Sequence, residues 1–242
     1  MKRKSVGDST TKRLIKVKAK PFDVEFDVAQ AALVIVDMQN DFLHPEGWFA
    51  QKGIDTRDVR KPIAKISKFL DTWRAHHGHV IWLNWGVRAD LLNLPKSFQK
   101  KATWSGANRF EAVGYAQSSP IDHGPSLVQG SWGAQTISEF KTHPSDIVVH
   151  KHRLSGFWDN ELDSILRLMG VNTLAFAGIN TDRCVFSSLQ DASFLGYECL
   201  LLKDLCATSS PDYVSQAIYF LVEKLHGHTT NATVLAKALM AP

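Results

Sequence analysis

A three-layer α/β/α sandwich with a mostly parallel central sheet is the fold this sequence predicts, on three observations. Short apolar runs alternate along the chain with stretches of helical spacing. Two of the runs, Ala-Ala-Leu-Val-Ile-Val at 31–36 and Leu-Ala-Phe-Ala at 174–177, lack polar alternation, as parallel strands covered on both faces do. The 242 residues suit one large domain, long enough to bury a core without disulfide staples. Strands followed by helices imply crossover connections, and these place helices on both sides of a parallel sheet.

Strands are expected at residues 31–36, 79–85, 146–151, 173–177 and 197–202, each a short run rich in apolar side chains. Between them, Ile63, Ile66, Leu70 and Trp73 recur at three- and four-residue steps and predict one helix; Leu162, Ile165, Leu166 and Met169 predict a second. A third begins near Arg183, with Val185, Leu189 and Ala192 on one side. A fourth runs from about Tyr213 through Ala217, Phe220, Leu221 and Lys224, and a short last helix covers 232–239.

Two stretches stand outside this pattern. Residues 1–20 carry eight Lys and Arg against Asp8 alone, a balance of +7, whereas the rest has 20 basic and 23 acidic residues, a balance of −3. The net charge of +4 therefore belongs to a tail over 1–20, and the domain over 21–242 is slightly acidic. A nucleic-acid partner would call for basic charge on the domain itself, so none is expected. Residues 88–128 hold Gly106, Gly114, Gly124, Pro120 and Pro125 with little periodicity, the composition of a lid or binding loop. No apolar run approaches the roughly 18 residues of a membrane span. The N-terminus lacks the apolar centre of a secretory signal and only faintly resembles a transit peptide, so the cytoplasm is the expected compartment. Cys184, Cys199 and Cys206, an odd set without a C-x-x-C pair, agree with reducing surroundings.

In an open parallel sheet, ligands bind beyond the carboxyl ends of the strands. Three reactive residues fall there. Asp37 ends a buried strand, where a carboxylate is costly without a partner or a task; a turn cap is the plain alternative. Lys151 closes the third strand, facing away from His150 and His152; alone it reads as a surface lysine. Cys184 opens a helix soon after the fourth strand, with Gly178 allowing a tight turn. A helix start lowers a thiol pKa and offers free N–H groups, although free cysteines are often inert core residues. Cys199 reads as core, and Cys206 falls in the loop after the last strand.

Asp-Met-Gln-Asn-Asp-Phe at 37–42, Lys151 within Val-Val-His-Lys-His-Arg-Leu-Ser-Gly-Phe, and Gly-Ile-Asn-Thr-Asp-Arg-Cys-Val at 178–185 together resemble the isochorismatase-like cysteine hydrolases. The resemblance covers roughly residues 25–240, with the motifs in that superfamily's order and spacing. Gly130-Ser131-Trp132, residues 153–157 and residues 162–167 resemble its ureidoacrylate amidohydrolase and biuret hydrolase branch most closely. The resemblance implies an Asp–Lys–Cys triad on Asp37, Lys151 and Cys184. It implies a non-proline cis peptide before Asn180, turning the Asn180 N–H beside that of Cys184 as an oxyanion hole. It further implies cleavage of a C–N bond in a small amide, ureido or carbamoyl compound through a thioester, and a homodimer or homotetramer.

Departures from relatives narrow this. Nicotinamidases carry an Asp-x-His metal motif after the second strand, and residues 83–90 lack it. The His pairs at 77/79, 150/152 and 226/228 fall short of the three or four converging ligands a metal needs, so no metal is expected. No cofactor is expected either, since neither G-x-G-x-x-G nor a P-loop is present, and the G-x-S-x-G of serine hydrolases is missing. Phe42, Asn84, Trp85 and Phe157, with Trp48 behind them, are candidate substrate-binding walls.

Overall fold

The computed structural model describes residues 13–95 and 123–241. The start of the basic tail and most of the expected lid, residues 96–122, lie outside them. Six strands form one sheet in the order β5-β4-β3-β6-β7-β8: β3 (Ala31–Val36), β4 (His79–Trp85), β5 (Ile147–Lys151), β6 (Thr173–Ile179), β7 (Glu198–Ala207) and β8 (His228–Thr230). Every neighbouring pair in it is parallel. The all-apolar run β3 lies inside the sheet, between β4 and β6, with each of its residues buried, which is why it needs no polar alternation.

Helices cover both faces. On one, α4 (Ile63–Ala75) turns Ile66, Phe69, Leu70 and Trp73 to the core and packs against the last helix, α8 (Ala232–Met240). On the other, α6 (Phe186–Phe194) buries Leu189 and Ala192. Short helical turns α1 (Asn40–Leu43), α2 (Trp48–Gln51) and α3 (Arg57–Arg60) follow β3, while α5 (Leu162–Leu168) precedes β6 and α7 (Asp212–Leu221) follows β7. The three-layer expectation holds.

Three local expectations do not. Residues 13–20 do not stand apart from the domain as a tail: β1 (Leu14–Val17) pairs antiparallel with β2 (Val24–Asp27), burying Ile15 and Val17. Lys20 exchanges two 2.9 Å backbone hydrogen bonds with Thr229. The lysines that dominate the composition here alternate with apolar residues that face inward. Secondly, Gly178 makes no turn after the strand. It lies inside β6 at φ 107°, where a Cβ would meet the Val36 carbonyl oxygen at 2.2 Å. Thirdly, Cys206 belongs to β7, opposite Gly178, beyond a register shift that hides the strand's continuation from a reading of simple periodicity.

Candidate active site

Four neighbouring strand ends converge on one point. β3 delivers Asp37 immediately after its last residue. The backbone there takes a positive φ of 54°, uncommon outside glycine, with the amide donating to Leu83 O at 3.0 Å. β5 ends on Lys151, whose side chain is wholly buried, and the register sets it beside Trp85 at the end of β4. β6 runs into Asn180 and a π-helical turn (Thr181–Val185) that carries Cys184 into α6. The Ile179–Asn180 peptide is cis, as the resemblance implies.

Lys151 Nζ lies 3.0 Å from Asp37 Oδ2 and donates to Arg153 O at 3.3 Å. It also sits 4.2 Å from the centroid of the Trp85 ring. Cys184, 4% exposed, is within hydrogen-bonding reach of both Asp37 and Lys151. Residues 37, 151 and 184, distant in sequence, are thus brought into one buried cluster.

Burial dominates its electrostatics. It pushes the Asp37 carboxyl up, against the opposing pull of the Lys151 ammonium and the Cys184 thiol. It pushes the Cys184 thiol up as well, reinforced by the Asp37 carboxylate and only partly offset by Lys151. The helix-start argument expected the opposite direction. Burial and the adjacent Asp37 anion explain the correction, since both favour the protonated thiol.

Two further polar residues of the 37–42 motif shape the site, though neither stood out in the sequence. Gln39 is fully buried. Its amide donates to Trp85 O and Ala134 O, both at 2.7 Å, and its carbonyl accepts from Trp85 N at 2.7 Å. Asp41 accepts from Leu127 N at 2.6 Å and Trp48 N at 3.2 Å, and burial raises its carboxyl to about 6. Gly133 packs so tightly on it that a Cβ would fall 2.0 Å from Asp41 Oδ2. The available signal was polarity in a segment whose every residue from 37 to 43 is buried.

The expected substrate walls divide. Trp85 is at the cluster. Asn84 points to the opposite face of β4, where its amide donates to Thr136 Oγ1 at 3.0 Å. Phe42 packs into a ring cluster with Trp48 and Phe49. Phe157 lies tilted against the ring of Tyr197, which precedes β7 and so lies at the other end of the sheet. These contacts hold Asn84 and Phe157 away from the Asp37–Lys151–Cys184 cluster itself.

A family model described as the isochorismatase domain matches residues 31–233. The chain belongs to the isochorismatase family. Several solved structures share its fold. A cysteine hydrolase from Pseudomonas syringae pv. phaseolicola 1448A superposes with a TM-score of 0.72 at 20% identity, covering 95% of this chain and 98% of that one. An isochorismatase family protein from Desulfovibrio vulgaris subsp. vulgaris str. Hildenborough gives 0.67 at 24%, covering 88% and 99%. N-carbamoylsarcosine amidase from Thermoplasma acidophilum gives 0.63 at 23%, covering 84% and 96%. At these identities the likeness speaks for the isochorismatase fold alone.

Proposed function

We propose that this isochorismatase-family chain is a cysteine-dependent amidohydrolase, with Cys184 as nucleophile, Asp37 as general base and acid, and Lys151 as the fixed cation of the site. The observation that carries this reading is the convergence of the three side chains in one buried cluster, Lys151 Nζ 3.0 Å from Asp37 Oδ2. A carboxylate whose proton affinity is raised by burial is the better base for a thiol that is also reluctant to ionise.

The steps follow from that arrangement. Asp37 accepts the thiol proton as Sγ forms a bond to the amide carbon, and the ammonium offsets the negative charge that moves onto the substrate. The N–H groups of Asn180 and Cys184 are the donors for the tetrahedral oxygen, each worth about 3–4 kcal/mol of barrier in comparable sites. The C–N bond breaks with Asp37 returning the proton to the leaving nitrogen, which departs as ammonia or an amine. Water, deprotonated by Asp37, then adds to the thioester carbon; the C–S bond breaks, Asp37 returns the proton to Sγ, and the acid leaves.

The substrate is a small amide, ureido or carbamoyl compound, with ureidoacrylate, biuret and triuret types first, on the motif likeness at 130–132, 153–157 and 162–167. The enzyme acts as a homodimer or homotetramer in the cytoplasm, without metal or cofactor. An ammonia-release screen across small amides and ureides tests this. One class should turn over, and Cys184→Ala should bring its rate to background while the circular dichroism spectrum is unchanged. Wild-type rates in that variant would remove the nucleophile.

A further inference from the structure

We propose that Trp85, clamped by Gln39, is a positioning residue that holds the Lys151 ammonium in place against Asp37 and Cys184. The inference deepens the thiol chemistry proposed above and rests on it.

A buried ammonium is costly unless each of its donors finds a partner. Lys151 Nζ has the Asp37 carboxylate at 3.0 Å, the Arg153 carbonyl at 3.3 Å, and the face of the Trp85 indole at 4.2 Å from its centroid. An indole face is the strongest of the aromatic cation sites, and stronger in a dry setting; Trp85 is 1% exposed and Lys151 0%. Asp37 is the one of these three partners that must give up its negative charge when it takes the thiol proton. At that moment the ammonium is left with the carbonyl and the ring, while the new thiolate requires it to stay. The ring is a partner whose attraction does not change during the reaction.

The backbone around Trp85 is built to keep it there. Gln39 holds both the N–H and the C=O of Trp85 through its single side-chain amide, and its other proton ties them to Ala134 O. Asp37 and Gln39 lie two residues apart on the same turn, so the base and the clamp move together. The other charged or titratable groups next to Lys151 along the chain are His150, whose proton affinity burial lowers, His152, whose proton affinity burial and the neighbouring Arg153 lower, and Arg153, which pairs with Asp159 at 3.0 Å.

The test replaces Trp85, in the full chain, with tryptophans carrying one, two and three ring fluorines, which keep the indole's shape while weakening its face stepwise. The readout is the rate of alkylation of Cys184 by iodoacetamide, located by peptide mapping. The rate should fall with each fluorine, reaching about tenfold at three. Trp85→Phe should recover more than Trp85→Leu. A flat rate across the fluorinated series, with unchanged melting temperature, would overturn the proposal, because a purely structural tryptophan tolerates fluorine. Alkylation needs no substrate, so a chain that hydrolyses no amide sinks the amidohydrolase reading separately.

Discussion

Two carboxylates are buried at opposite ends of the same sheet, and the protein treats them differently. Asp146, ahead of β5, accepts from Arg74 Nε at 3.2 Å and Nη2 at 2.5 Å, from Trp82 Nε1 at 2.9 Å, and from His143 N at 3.0 Å. Asp37, behind β3, has the Lys151 ammonium at 3.0 Å and looser contacts with the Cys184 thiol and the Trp85 backbone. Among the described residues no well-aligned hydrogen bond reaches either of its oxygens. A carboxylate saturated with donors is locked in one geometry and can do little but hold structure. One left short of donors in a dry site keeps its appetite for a proton. The positive φ at Asp37 fits the same reading, since uncommon backbone conformations gather where geometry serves chemistry.

The same substitution at both ends should separate the two roles. Asp37→Asn removes the base and should lower turnover about a thousandfold, the scale that general base catalysis supplies. Alkylation of Cys184 should fall with it, since the thiol then has no nearby acceptor for its proton. Asp146→Asn should leave turnover within about threefold but cost about 2 kcal/mol, because Arg74 and the indole N–H lose a charged acceptor. Thermal melting would report this as a drop of about 4–8 °C for a domain of this size. The comparison breaks if Asp37→Asn turns over normally, or if Asp146→Asn silences the enzyme while melting like the wild type.

How much of this was legible in the sequence differs between the fold and the site. The strands of the large sheet other than β8 and the second half of β7 could be read to within a few residues, because uninterrupted runs such as 31–36 have few other uses. The segments bearing Asp37, Lys151 and Cys184 were legible for the same reason: each ends or follows such a run. What stayed hidden depends on contacts across the chain. Gln39 earns its place only when Trp85 and Ala134 arrive from β4 and a distant loop, and the Trp85 ring becomes a cation partner only once β5 is in register beside β4. The thiol direction was misread because a helix start is a local feature, whereas burial and the Asp37 anion are not. β1 was missed because Lys16, Lys18 and Lys20 outweighed the inward alternation of Ile15 and Val17.

A third buried carboxylate sharpens the contrast further, with a smaller effect. Asp41 sits between the extremes: it has two backbone N–H donors but no cationic partner within ion-pair distance among the described residues. Burial lifts it from 3.8 to about 6, opposed by those N–H groups and by His123, which is paired with Glu46 at 2.8 Å. The folded state then holds this proton more tightly than the unfolded chain does. The resulting stability is fully present below about pH 4 and fades as the pH climbs through 6, by at most roughly 3 kcal/mol. Denaturant titrations of wild type and Asp41→Asn at intervals from pH 4 to 7 would isolate it, since the histidines and the other carboxylates are common to both proteins and cancel. The wild type should lose stability relative to the variant across that range. Parallel curves would mean that the two N–H groups suffice to hold Asp41 as an anion across the range.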